Sequence, residues 1–174
     1  MFTTPTTTLT ITTTKPLPAG LDVDAAKETA LALLHDHPAL ISLNPLLARY
    51  ERIPPSHGAP NAYIITDRLP YLPFGLWTGE LHIYAEFVDK ADGVLTKVRA
   101  PGGFVSEGVY SVREEEGKWM VEESVEARCP LGLGWYVEGT TKKSHEVILG
   151  KFVEEVRTRI EKKKGEGSAV VDGQ

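Results

Sequence analysis

The chain has a single cysteine, Cys129, so no internal disulfide can form and a reducing compartment is the natural setting. It has no run of about eighteen apolar residues, which excludes a membrane-spanning helix and any stable membrane insertion. Residues 1–14 contain no apolar run of signal-peptide length, so the expected location is the cytoplasm. Positive charge is also scarce. The formal net charge is -5, and the only lysine run, Lys162, Lys163 and Lys164, falls where a helix should end. A nucleic-acid partner would need a basic patch, so none is expected. The Gly-x-Ser-x-Gly elbow, the dinucleotide fingerprint and the Walker sequence are all missing, and no cofactor is implied. His35 and His37 lack a third ligand at a supporting spacing, so no metal site is read from them.

What is present suits one soluble domain: 174 residues, 41% hydrophobic and 25% charged. The expected domain runs over residues 9–164, between a flexible 1–8 and a flexible tail at 165–174. The organising element is a helix at about 144–164. Its positions His145, Ile148, Leu149, Phe152, Val153, Val156 and Ile160 recur at steps of three and four, which is one helical face. Ser144 is placed to cap it and Gly165 to stop it. Gly150 in its middle costs about 1 kcal/mol relative to alanine and suggests a close approach of backbone or ligand.

Ahead of that helix the pattern is mostly strands. Leu9 and Ile11 alternate with threonines; a helix capped by Asp22 or Asp24 then buries Ala26, Ala30, Leu33 and Leu34 and stops at Pro38. A second apolar turn covers 39–43. Strands follow at 47–53, 61–69, 80–88, 94–100, 104–114 and 118–128, separated by Pro/Gly turns and by Asp92-Gly93. The expected fold is α+β, a curved antiparallel sheet of six to seven strands around a long C-terminal helix, with two short helices after the first strand. Such a sheet, with small helices plugging one end, tends to leave a cavity.

Leu17-Pro18-Ala19 leading into the first helix, its end at Asp36, the segment Leu43-Asn44-Pro45-Leu46-Leu47 and the closing helix resemble the START and polyketide-cyclase superfamily. That is the helix-grip fold shared with birch-pollen-type lipid-binding proteins, and the likeness extends to its small fungal members. The sequence departs from the pattern in the first helix, where Thr29 and Leu31 stand in place of an aromatic residue. The resemblance implies binding or transport of a hydrophobic small molecule or lipid between sheet and helix. It also leaves open an enzyme of the cyclase, dehydratase or isomerase type, and a regulator that binds another protein.

Two apolar links stand out. Residues 69–77 combine Leu72, Phe74 and Trp77 with two prolines and a glycine, so they read as a loop: a lid over the cavity, a foot for transient contact with a membrane surface, or a segment buried on the sheet end. The link 129–136 carries Trp135 and reads as a bent connection at the same rim. Leu72, Phe74, Trp77, Trp119, Trp135, Ile148, Leu149 and Phe152 are the candidate ligand contacts. Of the acid/base candidates, Glu123 alternates with Trp119, Val121, Val125 and Ala127. On an inward face its carboxyl would be desolvated and its pKa raised. The plain alternative is a pairing with water, Arg99 or Arg113. His145 stands on the inward stripe of the closing helix, where a satisfied structural role competes with catalysis. His82 and Tyr84 alternate away from Leu81, Ile83, Ala85 and Phe87, which puts them on the outer face unless the faces are reversed.

Overall fold

A computed structural model describes residues 5–20, 22–54, 59–70, 78–132 and 134–169, with side chains at all of these except 69, 70, 78, 136 and 166–169. The strands are β1 (Thr6–Pro16), β2 (Leu47–Ile53), β3 (Ala62–Pro70), β4 (Thr78–Lys90), β5 (Gly93–Ala100), β6 (Phe104–Glu115) and β7 (Lys118–Pro130). Helices α1 (Val23–His35) and α2 (His37–Ser42) follow β1, and α3 (Gly134–Ala169) closes the chain. All seven strands form one antiparallel sheet in the order β1-β7-β6-β5-β4-β3-β2. The strands β2 to β7 are thus a simple meander. β1 pairs with the last of them, in a register that sets Thr6 opposite Pro130 and Pro16 opposite Met120. The helix pair therefore carries the chain from one sheet edge to the other. This is the helix-grip fold that the strand and helix order led us to expect.

Local chemistry fixes the helix pair. Asp22 caps α1, its Oδ1 accepting from the backbone of Asp24 at 3.0 Å and of Ala25 at 3.3 Å. Asp36 ends α1 and starts α2: its Oδ1 accepts from the Ala39 amide at 3.3 Å, while its Oδ2 accepts from Arg159 of α3 at 3.0 Å. The two histidines tie the helices to the β4–β5 hairpin. Nε2 of His35 lies 3.0 Å from the carbonyls of Lys90 and Gly93, and Nε2 of His37 lies 2.8 Å from Asp89. At Gly93 a Cβ would sit 1.8 Å from the Tyr110 carbonyl, so no larger residue fits that approach of β5 to β6.

The solid core lies under the C-terminal half of α3. There Leu149, Phe152, Val156 and Ile160 meet Ala30, Leu33 and Leu34 of α1 and Val94, Val112 and Val121 of the sheet. Burial of these side chains, each worth on the order of 1.5–3 kcal/mol for the larger ones, is what holds helix to sheet.

Several expected boundaries move. The closing helix begins ten residues before Ser144 and continues past Gly165, so neither residue caps or stops it. Backbone hydrogen bonding along an already nucleated helix outweighs the weak propensities of Gly134, Gly139, Thr140 and Thr141. β1 starts at Thr6, inside the stretch expected to be loose, because β7 offers it a partner. Gly150 admits no close approach: a Cβ there would meet only the Lys15 ammonium, at an ordinary 3.5 Å. Among the described residues no helix is long and apolar enough to cross a membrane, and no three potential metal ligands cluster.

Candidate functional site

Beside the solid core, under the N-terminal half of α3, the sheet and helices border a partly open cavity of about 420 Å³. That falls within the roughly 300–1,000 Å³ typical of small-molecule sites. Its sheet wall comes from the inward positions of β3 to β7, each strand contributing every second residue: Ile65, Leu81, Ile83, Phe87, Val98 and Val125 are examples. α2 contributes Leu40 and Ile41. The helix wall has a different composition. Val137, Thr140, Thr141, Ser144, His145 and Ile148 line it at steps of three and four, so the stripe of α3 changes from aliphatic over the core to hydroxyl-bearing over the cavity.

The polar focus of the cavity is Glu123. Alternation along β7 turns it inward, and it is 2% exposed. Its partner is neither Arg99, which lies over the Tyr84 ring, nor Arg113, which pairs with Glu115 and Glu122. Instead Oε1 lies 2.6 Å from Nδ1 of His145, a close contact that is not aligned as a hydrogen bond. Tyr110 stands directly opposite Glu123 on β6. Its phenol is raised well above its ordinary pKa, first by burial, then by the Glu123 charge and by the hydrogen bond to that carboxyl group. Oε2 of Glu123 has no hydrogen-bond partner among the described residues.

A second carboxyl group, Asp67, lines the cavity beside α2 and is 6% exposed. Burial raises its pKa, and hydrogen bonds from Nδ2 of Asn44 at 2.8 and 3.0 Å oppose the shift. Sequence reasoning passed over Asp67, although the alternation Tyr63, Ile65, Asp67 already puts it on the inward face. It also missed Thr140, Thr141 and Ser144, whose spacing continues the stripe of the closing helix toward the N-terminus.

The remaining candidates are dispersed. His82 and Tyr84 lie on the outer face, where Nδ1 of His82 contacts the Thr66 hydroxyl at 3.1 Å and Tyr84 sits under Arg99. Ile148 lines the cavity, whereas Leu149 and Phe152 are fully buried in the solid core, because one step along a helix turns a side chain by about 100°. Trp119 packs against that core with the Lys27 ammonium 4.5 Å from its ring centroid. Trp135 is in the first turn of α3, 77% exposed, and not part of the cavity wall. Leu72, Phe74 and Trp77 lie outside the described residues. The free Cys129 is buried at the cavity's β7 end.

A family model described as "Domain of unknown function (DUF7053)" matches residues 6–158. No curated protein matches the sequence. Solved structures do share the fold. The chain is similar to Ara h 8.0201, with a TM-score of 0.58 at 14% identity, covering 88% of this chain and 99% of that one. TTHA0849 from Thermus thermophilus gives 0.56 at 16% identity, with the same coverage of 88% and 99%. A norcoclaurine synthase point mutant from Thalictrum flavum, in complex with a transition-state analogue, gives 0.54 at 16% identity over 91% of this chain and 99% of that one.

Proposed function

This chain belongs to the DUF7053 family, and from the cavity inside its fold we propose that it binds a largely apolar small molecule or lipid. The observation that carries this reading is the space of about 420 Å³ held open between sheet and α3, with a wall that is mainly aliphatic and aromatic. A void of that size forfeits packing contacts the side chains could otherwise make, so its retention argues for an occupant. The apolar side chains of the wall supply affinity by desolvation, and the polar residues on α3 and β7 supply orientation. Native mass spectrometry of freshly purified protein, followed by titration with naphthalene, tests the reading. A bound mass or saturable uptake is the expected result, and neither appearing would remove it.

The contact between Glu123 and His145 supports a second reading, a cyclase, dehydratase or isomerase acting on a hydrophobic intermediate. An imidazole and a carboxyl group set side by side on a cavity wall offer a general acid and a general base to a bound molecule. That one fold neighbour is a synthase lends this reading analogy only. Deuterium exchange at the α-carbon of 2-tetralone in D2O tests it. Acceleration by the wild type that is lost in Glu123→Gln is expected, and a rate equal to buffer rules out proton transfer on that probe.

A further inference from the structure

We propose that Thr141 and Ser144 of α3 hold the oxygen of a neutral carbonyl group on the bound molecule, so that the cavity takes apolar ketones or esters and turns away carboxylates of the same shape. The proposal rests on the cavity reading above and names the ligand chemistry of that same site.

Both residues line the cavity, and both hydroxyls are unused. A serine or threonine inside a helix can return its hydroxyl to the carbonyl four residues back. Ser42 does so to Pro38 at 2.7 Å, and Thr158 to Glu154 at 2.9 Å. The hydroxyls of Thr141 and Ser144 have no hydrogen-bond partner among the described residues. Neither oxygen is sealed in. The fully buried side-chain atoms that lack a partner among the described residues are Oε2 of Glu123 and Nδ1 of His145, so the unpartnered hydroxyls of the half-buried Thr141 and Ser144 keep accessible surface.

Three residues apart on one helix, the two side chains start from Cβ atoms about 5–6 Å apart. Both hydroxyls can therefore reach one oxygen lying between them at an ordinary O–H···O distance of ~2.7–2.8 Å. A carbonyl oxygen has two lone pairs, and each hydroxyl has one proton to give. That match needs no charge.

Charged groups fit the same wall poorly. The lining includes Asp67 and Glu123 but no lysine or arginine among the described residues, and the His145 ring already faces Glu123 at 2.6 Å. A carboxylate brought into the cavity would lose its hydration with no free cation to replace it. An ammonium group would need several acceptors, yet Oε2 of Glu123 is out of reach and both oxygens of Asp67 accept from Asn44.

The test compares 2-acetylnaphthalene, 2-isopropylnaphthalene, 2-naphthoate and 1-(2-naphthyl)ethylamine by calorimetric titration at pH 7. The four carry a branched substituent of similar shape at one position, and only its polarity and charge change. Wild type should bind the ketone at least about fivefold more tightly than the hydrocarbon, the worth of one or two net hydrogen bonds, and both charged probes more weakly than the ketone. The double variant Thr141→Val, Ser144→Ala should cut the preference for ketone over hydrocarbon at least threefold, once circular dichroism shows it folded. Should the double variant fail to fold or to take up the hydrocarbon, the two single variants replace it, and each should cut the preference about twofold. Equal binding of ketone and hydrocarbon, a preference that survives in the variants, or tightest binding of either charged probe would overturn the carbonyl site and leave the cavity reading standing. Failure of all four probes to bind would overturn the cavity reading itself.

Discussion

Nδ1 of His145 and Oε1 of Glu123 stand 2.6 Å apart and join the long helix to the strand beneath it from inside the cavity. Removing the ring should leave a buried carboxylate without that partner. His145→Ala is expected to cost about 1–3 kcal/mol, read from urea unfolding. Combined with Glu123→Leu the losses should fall short of additive by at least about 0.5 kcal/mol, whereas strict additivity would show that the contact carries no energy.

Ile148 and Leu149 are sequence neighbours with separate fates, one on the cavity wall and one fully buried in the core. Leu149→Ala should destabilise by about 2–5 kcal/mol, since it opens a hole in packed surroundings. Ile148→Ala should cost on the order of 1 kcal/mol, because the space beside it is already open. Ile148→Trp, which fills that space, should weaken naphthalene binding at least tenfold. Similar stability losses at both positions would show that the two walls are equivalent.

Asp67 gives stability a defined pH dependence. Burial holds its carboxyl above the ordinary value of 3.8, so the folded state binds that proton more tightly than the unfolded chain does. Its contribution to stability is therefore fully present below the ordinary value, falls as pH rises through the folded value, and is flat above it. Asp67→Asn removes this limb. The melting temperature of the variant minus that of wild type should climb with pH across the window and then level off. A difference that is constant with pH would mean the carboxyl is not perturbed.

Asp36 serves α2 and α3 together through its cap to Ala39 and its contact with Arg159. The ion pair is partly exposed and worth little, so the cap should dominate. Asp36→Ala should cost about 1–2 kcal/mol and Asp36→Asn, which retains a cap acceptor, less than half of that, both measured by thermal unfolding.

Much of this architecture was legible from periodicity. Alternation along β4 separates Leu81, Ile83, Ala85 and Phe87 from His82 and Tyr84. Alternation along β7 turns Glu123 inward, and the structure has both patterns. The start of α3 was not legible, because Gly134, Gly139, Thr140 and Thr141 have the composition of a loop and become helix only with a folded surface to lie on. Asp67 was hidden for the opposite reason: its alternation is plain, but a lone carboxylate in a strand looks like an exposed residue until α2 brings Asn44 to it.

The sequence by itself determined the element order, the antiparallel meander and the inward face of each long strand, because those follow from local periodicity and turn chemistry. Only the tertiary structure decided where the stripe of α3 passes from core to cavity, so that Ile148 lines space while Leu149 fills it. Only the tertiary structure brought His145 to Glu123, since that contact depends on how far along β7 the helix lies. Packing across the whole sheet sets that position, and no window of sequence contains it.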